Sequence, residues 1–149
     1  MYDVASEPSP DCTDSPSHID GNNITLLQED EAGGFQFLKG GEWMDVKPIP
    51  HSLIAVAGDG FQAWSHGRVL NVKHRVMVKK QQSRLSMTFF NVFPEVMEIK
   101  APPELIDEEH PQLYRSFQNR EFIQYMMKHA KERDDQLLMM YVGIPAPTS

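Results

Sequence analysis

Residues 73–91 read KHRVMVKKQQSRLSMTFFN, and a polar break separates their two apolar runs. The run Val76-Met77-Val78 suits a strand with one buried and one wetter face, or a strand buried on both faces. The break at Gln81-Gln82-Ser83 is typical of a turn. We therefore predict two strands here, over Lys73–Lys79 and Arg84–Asn91.

The same alternation of short apolar runs and turn residues extends from Ile24 to Lys100, as expected for an all-β sandwich or barrel. Breaks such as Gly33-Gly34 and Gly58-Asp59-Gly60 separate the runs. The further predicted strands are Ile24–Gln28, Phe35–Leu38, Glu42–Pro48, Ser52–Ala57, Gln62–Trp64 and Glu95–Lys100. Short strands at this spacing predict a mainly β fold, either a double-sheet jelly roll or a related barrel.

The two ends of the chain differ from the middle in composition and periodicity. Prolines with Ser, Asp and Thr residues before His18 favour turns over regular structure. After the stiff connector Ala101-Pro102-Pro103, residues from Phe122 to Leu137 recur at helical spacing and predict a C-terminal helix of about five turns. We therefore divide the chain into an irregular segment 1–17, a jelly-roll core 18–100, and a connector with a helix 101–149.

The composition excludes several classes of partner. The 149 residues include 14 Lys and Arg against 21 Asp and Glu, so the net charge of −7 is opposite to the basic surface that nucleic-acid phosphates require. The longest apolar runs, Leu53–Ala57 and Leu137–Val142, are far shorter than the ~20 residues of a membrane-spanning helix. We expect no nucleic-acid partner and no membrane partner.

Cysteine content and the N-terminal residues bear on the compartment. Cys12 is the only cysteine, which excludes an intrachain disulfide. Residues 1–20 are acidic and contain no basic segment followed by an apolar one, so the sequence predicts no secretory leader and a cytoplasmic location. No feature of the sequence predicts the oligomeric state.

A chelating pattern begins at His18-Ile19-Asp20. On an extended strand, residues two positions apart point to the same side, so the His18 imidazole and the Asp20 carboxylate converge on one ion. His74 lies 54 residues beyond Asp20, on a predicted strand. Either histidine alone is more simply explained as a surface or core residue. Together, two histidines and one carboxylate form the ligand set of non-haem Fe(II) oxygenases.

A second pair of polar residues follows ten residues after His74. Arg84 and Ser86 are again two positions apart on a predicted strand. They offer a guanidinium fork and a hydroxyl to one small anion. The alternative is a surface ion pair for Arg84 and a strand-face hydroxyl for Ser86.

The order of these residues, HxD, then His74, then Arg84-Leu85-Ser86, resembles the C-terminal catalytic part of plant 2-oxoglutarate- and iron(II)-dependent dioxygenases. Further segments that carry the resemblance are Ile24-Thr25-Leu26-Leu27-Gln28, Gly41-Glu42-Trp43, Val46-Lys47-Pro48, Gly58-Asp59 and Trp64-Ser65-His66-Gly67-Arg68. The segment Glu108-Glu109-His110-Pro111, with Phe117, is similar to the branch that contains auxin-oxidising and glucosinolate-side-chain-modifying enzymes.

The resemblance implies a double-stranded β-helix, the jelly-roll form, with His18, Asp20 and His74 bound to Fe(II). It implies that 2-oxoglutarate binds the iron through its keto oxygen and adjacent carboxylate, and that O2 takes the remaining position. Arg84 would pair with the distal carboxylate, and Ser86 would donate a hydrogen bond to it. The implied reaction oxidises or hydroxylates a small molecule of plant secondary metabolism while 2-oxoglutarate is decarboxylated to succinate.

The match to the family leaves a second hypothesis open. The chain lacks the N-terminal helical half of the family, so it is either a dioxygenase or a truncated, non-catalytic paralogue or fragment that retains metal and dicarboxylate binding. Tyr2 is matched to a tyrosine that precedes the first ligand and would complete the cosubstrate site. His66 is interpreted as a structural turn residue. Phe89, Phe90 and Phe93 either line the cavity mouth or pack in the core.

Overall fold

The computed structural model describes residues 12–78, 83–129 and 136–145. Its strands are β1 (Cys12–His18), β2 (Ile24–Glu29), β3 (Phe35–Lys39), β4 (Glu42–Asp45), β5 (Ile54–Ala57), β6 (His74–Val78), β7 (Ser86–Asn91), β8 (Glu98–Ile99) and β9 (Phe117–Gln118). Its helices are α1 (Asp59–Trp64), α2 (Asn119–His129) and α3 (Leu137–Val142), with a 3-10 turn at Pro103–Leu105. The described part of the chain is mainly β, as predicted.

Two antiparallel sheets form the body of the fold. One sheet has the strand order β1-β6-β3-β4 and the other has the order β5-β2-β7. The chain crosses between the sheets after β1, β2, β4, β5 and β6, so most strands that follow one another in sequence lie in different sheets. This repeated crossing is the arrangement of a jelly roll, which confirms the predicted fold class.

The space between the sheets is filled from both sides. Leu27 on β2, Phe35 on β3 and Val56 on β5 are buried against one another, and we call this group the sandwich core. Because side chains alternate along a strand, Thr25 and Leu27 face the interior of the sandwich together. The same alternation places functional side chains of β2, β6 and β7 around one interior space.

A second apolar group, the C-terminal core cluster, holds the helices in place. Its buried members are Ala63, Ile99, Tyr114, Phe117, Phe122, Leu138 and Val142. Strands β8 and β9 contribute Ile99 and Phe117, which lie opposite each other in the register. Phe122 on α2 is fully buried, and its ring packs 5.3 Å from that of Phe117 and 5.6 Å from that of Tyr141. Burial of one face of each helix thus fixes all three helices against this cluster.

The prediction of a strand over Gln62–Trp64 is wrong, because this segment forms the end of helix α1. The Gln62 N–H donates to the Gly58 carbonyl and the Ser65 N–H donates to the Phe61 carbonyl, at 3.0 and 2.8 Å, as in an α-helix. Periodicity does not distinguish a short apolar run in a strand from a buried helical turn. The helix follows β5 directly and buries Ala63 in the C-terminal core cluster.

The expectation of an irregular segment over residues 1–17 is wrong for residues 12–17, which belong to β1. This edge strand pairs with β6, and its register shifts twice, between Thr13 and Ser15 and between Ser15 and His18. The second irregularity contains Pro16, and a proline, which lacks an N–H, is tolerated at bulges and on edge strands. Residues 1–11, with Tyr2, lie outside the described residues.

The predicted single C-terminal helix is wrong at its end, because Leu137 begins a separate helix. Gln136, with φ −103° and ψ 8°, precedes α3 in a non-helical conformation. Residues 130–135 lie outside the described residues.

The predicted strand Glu95–Lys100 is shorter in the structure, where only β8 forms. Because β8 pairs with β9, this small sheet joins residues on both sides of the predicted domain boundary at residue 100. In the described ranges no helix is both long and apolar enough to cross a bilayer.

Candidate metal and cosubstrate site

Two histidines from neighbouring strands face one point. In the pairing of β1 with β6, His18 lies opposite His74, and the two ring centroids are 4.4 Å apart. Asp20 follows β1, and its Oδ1 lies 3.3 Å from His18 Nε2 and 3.7 Å from His74 Nε2. One ligand atom of each residue lies within 4.8 Å of the other two. The structure therefore brings together the three residues that the sequence predicts as metal ligands.

Hydrogen bonds fix the tautomer of both histidines. His18 Nδ1 lies 2.7 Å from the Pro16 carbonyl oxygen, and His74 Nδ1 lies 2.9 Å from the Val72 carbonyl oxygen. Because a carbonyl oxygen can only accept, each Nδ1 carries a proton and donates it. The Nε2 atom of each neutral ring then presents a lone pair toward Asp20. When both rings are neutral, their two Nε2 lone pairs converge with a carboxylate oxygen, and this donor set fits a divalent metal ion such as Fe(II).

A chain of hydrogen bonds orients the Asp20 carboxylate. The Thr25 hydroxyl donates to Asp20 Oδ2 at 2.5 Å, and the Asn22 side-chain amide donates to the Thr25 hydroxyl at 2.9 Å. The backbone is held as well, since the Asp59 N–H donates to the Asp20 carbonyl at 2.8 Å. With Oδ2 held by the protein, Oδ1 is the oxygen that faces the two histidines.

Burial and contacts together set the charge of these groups. Burial by itself raises the pKa of Asp20, but its contacts with His18 and Thr25 outweigh burial and hold that pKa below the ordinary value. Burial lowers the pKa of His74, although the Val72 carbonyl and the Asp20 charge act in the opposite direction. Near neutral pH, Asp20 is therefore charged and His74 is neutral, which are the forms that bind a metal ion.

Arg84 is fixed at three points by neighbouring strands and turns. Its Nε donates to the Gly33 carbonyl at 2.7 Å, and its Nη1 donates to Ser86 Oγ at 2.8 Å. Its Nη2 donates to Glu29 Oε2 at 3.1 Å. The side chains of Arg84 and Glu29 are only 7% and 3% exposed, so this is a buried ion pair. The protein itself thus holds the guanidinium in one orientation.

A cavity of about 490 Å³ between the two sheets joins the two groups of residues. The cavity is lined by His18, Asp20 and His74 and also by Arg84 and Ser86. Its apolar walls come from both sheets and consist of Leu27, Phe35, Val56, Val76 and Phe90. The three candidate metal ligands and the guanidinium with its hydroxyl partner therefore share one cavity with both polar and apolar walls, as in pockets for small molecules.

The remaining sequence-predicted residues have different positions. Phe90 lines the cavity, whereas Phe93 packs against the C-terminal core cluster and Phe89 is 62% exposed. Tyr2 lies outside the described residues. The roles of the five residues around the cavity as metal and cosubstrate ligands stay predictions at this point.

Sequence reasoning missed Thr25 and Glu29. Both lie on β2 and alternate with Leu26 and Gln28, so they share the interior side with Leu27. A charged residue at an interior position of a strand is uncommon, and this signal could have identified Glu29. Its partner Arg84 could not be identified in this way, because 55 residues separate the two in sequence.

His66 predicts a pH dependence of stability. It is 3% exposed, and its Nε2 accepts a hydrogen bond from the Leu113 N–H at 2.7 Å. Burial and, to a lesser degree, the charge of Arg68 lower the pKa of His66 from its ordinary 6.5, against the opposing effect of the Pro111 carbonyl. Below about pH 6.5 the His66 imidazole is therefore protonated in the unfolded chain but stays neutral in the folded chain. The free energy of unfolding should fall as the pH is lowered toward about 5.

Urea denaturation of metal-free protein at several pH values measures this dependence. His66→Asn should show a shallower decline than the parent protein below about pH 6.5. His51→Asn is the matched control for the substitution itself, because His51 is exposed and shares the left-handed backbone, with φ of 60° against 58° at His66. Equal declines in His66→Asn and the parent would contradict the prediction.

The sequence model of the 2OG-Fe(II) oxygenase superfamily matches residues 2–92. The 2-oxoglutarate-dependent dioxygenase DAO of Oryza sativa subsp. indica is 45% identical over 103 residues, which cover 67% of this chain and 34% of that protein. Two Arabidopsis thaliana proteins, 2-oxoglutarate-dependent dioxygenase AOP2 and probable inactive 2-oxoglutarate-dependent dioxygenase AOP2, are each 34% identical over 131 residues, or 87% of this chain and 30% and 33% of theirs.

Solved structures agree with the sequence matches. The crystal structure of the dioxygenase for auxin oxidation (DAO) in rice superposes with a TM-score of 0.78 at 36% identity, covering 87% of this chain and 45% of that one. The crystal structure of JOX2 in complex with 2OG, Fe and JA superposes with a TM-score of 0.66 at 28% identity, covering 78% of this chain and 37% of that one. The chain spans about a third of the length of the curated relatives it matches.

Proposed function

Because the chain belongs to the 2OG-Fe(II) oxygenase superfamily, we propose that its cavity binds Fe(II) and 2-oxoglutarate and serves the oxidation of a small molecule. Fe(II) and 2-oxoglutarate are the cofactor and the cosubstrate for which the family is named. The observation that carries the proposal is the cavity shared by the His-Asp-His group and by Arg84 with Ser86. One group fits the metal ion and the other fits a carboxylate.

In this proposal His18, Asp20 and His74 hold the Fe(II) ion. An ion held by these three donor atoms would have positions left for ligands that are not part of the protein. The Pro16 and Val72 carbonyls keep the imidazole rings in the metal-binding tautomer. When bound, the iron supplies the oxidation chemistry, in which 2-oxoglutarate and O2 yield succinate and CO2 and one oxygen atom enters the substrate.

Arg84 and Ser86 bind the distal carboxylate of 2-oxoglutarate in this proposal. The guanidinium offers N–H donors in a rigid plane, which suits a carboxylate at a defined distance from the metal. Because Gly33 and Glu29 already hold the guanidinium, little side-chain entropy is lost on binding. A keto acid without a second carboxylate would lack this interaction and should bind more weakly.

The substrate class that we propose is a small plant metabolite. The volume of the cavity falls in the range of small-molecule sites, and apolar side chains from both sheets line part of it. Phe90, 55% exposed at the cavity, is the residue that we expect to contact the substrate. The similarity to rice DAO supports a plant metabolite and leaves the compound unspecified. The cytoplasmic location and the lack of nucleic-acid and membrane partners stay predictions of the sequence.

A second candidate function is non-catalytic binding of a metal ion and a dicarboxylate. It is favoured by the match to the probable inactive 2-oxoglutarate-dependent dioxygenase AOP2, which has the same 34% identity to this chain as the 2-oxoglutarate-dependent dioxygenase AOP2. It is also favoured by the large exposed apolar side chains along one short stretch, which are Leu85, Met87, Phe89, Phe90 and Val92. Both candidates share the same ligands and differ in turnover.

Anaerobic titration with Fe(II) and 2-oxoglutarate tests the shared binding step. We expect a visible charge-transfer band of the chelated cosubstrate in the parent protein and its loss in His74→Ala, because two remaining ligands hold the ion poorly. His129→Ala is the matched control, since His129 lies at the end of α2 and does not line the cavity, and it should keep the band.

The outcomes separate the candidates. No band in folded parent protein would contradict the binding of Fe(II) and 2-oxoglutarate by this cavity. If the band forms, succinate released on admission of O2 distinguishes turnover from binding alone. Persistence of the band in His74→Ala would exclude His74 as a ligand.

A further inference from the structure

The guanidinium of Arg84 forms an ion pair with a carboxylate of the protein itself, that of Glu29. Glu29 and Ser86 lie opposite each other in the pairing of β2 with β7, so the side chains that contact Arg84 Nη2 and Nη1 come from adjacent strands. Glu29 Oε2 accepts from Nη2 at 3.1 Å, and Ser86 Oγ accepts from Nη1 at 2.8 Å. The proposed anchor for the cosubstrate is therefore already paired with a negative charge.

The position of Glu29 is unusual for a carboxylate. Its side chain is 3% exposed, and its second oxygen, Oε1, is buried with no hydrogen-bond partner among the described residues. Arg84 and Ser86 line the cavity, whereas Glu29, which contacts Arg84, does not belong to the described lining. A ligand carboxylate in the cavity and the Glu29 carboxylate would thus share the same guanidinium.

We propose that Glu29 is a positioning residue that holds Arg84 in place and lowers the affinity of the site for a dicarboxylate. This inference rests on the proposed function of Arg84. Without a ligand, Glu29 and Arg84 form a pair with no net charge. A bound distal carboxylate adds a second negative charge at low dielectric, and its repulsion from Glu29 offsets part of its attraction to Arg84. Glu29 thereby keeps the site from binding dicarboxylates too tightly.

Glu29→Gln separates the charge of this residue from its shape. The Gln side chain still accepts a hydrogen bond from Arg84, but the repulsive charge is gone. For anaerobic Fe(II)-loaded protein, we expect the variant to lower the Kd of 2-oxoglutarate at least about tenfold and to change the Kd of 2-oxobutyrate less than about twofold. The second compound has the same keto acid group and lacks the distal carboxylate, so it does not reach Arg84.

Two controls accompany this calorimetric titration. Glu95→Gln removes an exposed carboxylate paired with Arg120, both 64% exposed, and should leave both Kd values unchanged. The comparison with 2-oxobutyrate is the second control, because a charge effect on the distal carboxylate cannot change the Kd of a compound that lacks this group. A merely structural role of Glu29 would not discriminate between the two keto acids.

An unchanged or higher Kd of 2-oxoglutarate in Glu29→Gln, or equal tightening of both compounds, would overturn the inference about Glu29. The proposed function would still stand in that case, provided that the parent protein binds 2-oxoglutarate. If neither protein binds 2-oxoglutarate, the proposed function fails and the inference fails with it. Should Glu29→Gln be unfolded without ligand, we expect 2-oxoglutarate and not 2-oxobutyrate to restore folding, because the distal carboxylate replaces the lost counter-ion. Failure of both compounds to restore it would overturn the inference.

Discussion

Arg84→Met is expected to lower the free energy of unfolding by about 3–5 kcal/mol, because it leaves the Glu29 carboxylate buried without its counter-ion. The two side chains are 7% and 3% exposed, so solvent cannot replace the lost interaction. Urea denaturation of ligand-free protein near pH 7 measures the change. Arg68→Met is the matched control: Arg68 pairs with Asp107 at 2.9 Å, but these side chains are 35% and 49% exposed. Loss of this surface pair should cost about 0–1 kcal/mol.

A double variant shows whether the uncompensated charge is the cause. Glu29→Leu combined with Arg84→Met removes both charges and replaces them with apolar side chains of similar size, so most of the lost stability should return. If the double variant is less stable than Arg84→Met alone, lost packing rather than buried charge explains the effect. Equal losses in Arg84→Met and Arg68→Met would contradict the importance of burial for this pair.

Phe122→Ala should lower the free energy of unfolding by about 3–5 kcal/mol, because it empties the centre of the C-terminal core cluster. The Phe122 side chain is fully buried and packs between the rings of Phe117 and Tyr141. Met127→Ala, on the same helix and 75% exposed, should change stability by no more than about 0.5 kcal/mol. Chemical denaturation of the three proteins provides the comparison.

The same variant separates the cluster from the site. Phe122 does not line the cavity, so folded Phe122→Ala should form the Fe(II)-2-oxoglutarate band with the intensity of the parent. A loss of stability below about 1 kcal/mol would show that the helices contribute little to this fold. Loss of the band in folded protein would show that the cluster and the cavity are coupled.

Local patterns predicted most strands of the two main sheets well. Strands β2, β3, β5 and β7 begin and end within two residues of the predicted bounds, because apolar alternation is a local property of a half-buried strand. The same reasoning failed for β1, which forms through its pairing with β6 although its sequence contains Pro16 and several turn-favouring polar residues. It also failed for Gln62–Trp64, where three residues are too few to distinguish a helix from a strand.

The candidate ligands could be identified from the sequence because the two histidines with one aspartate, and the Arg84-Ser86 pair, are polar residues at spacings that packing alone seldom explains. The sequence contains both groups, but nothing local shows that they share a space. The structure places them around one cavity because β1 pairs with β6 and β2 pairs with β7. Their roles as ligands are tested by the titrations above.

The sequence by itself determined the mainly β character, the order of most strands and the identity of the five candidate site residues. The tertiary structure alone decided the histidine tautomers, the anchoring of Asp20 by Thr25 and the pairing of Glu29 with Arg84. The physical reason is that strand composition and spacing are properties of neighbouring residues in the sequence. Burial, register and charge pairing instead depend on residues far apart in sequence that become buried against one another.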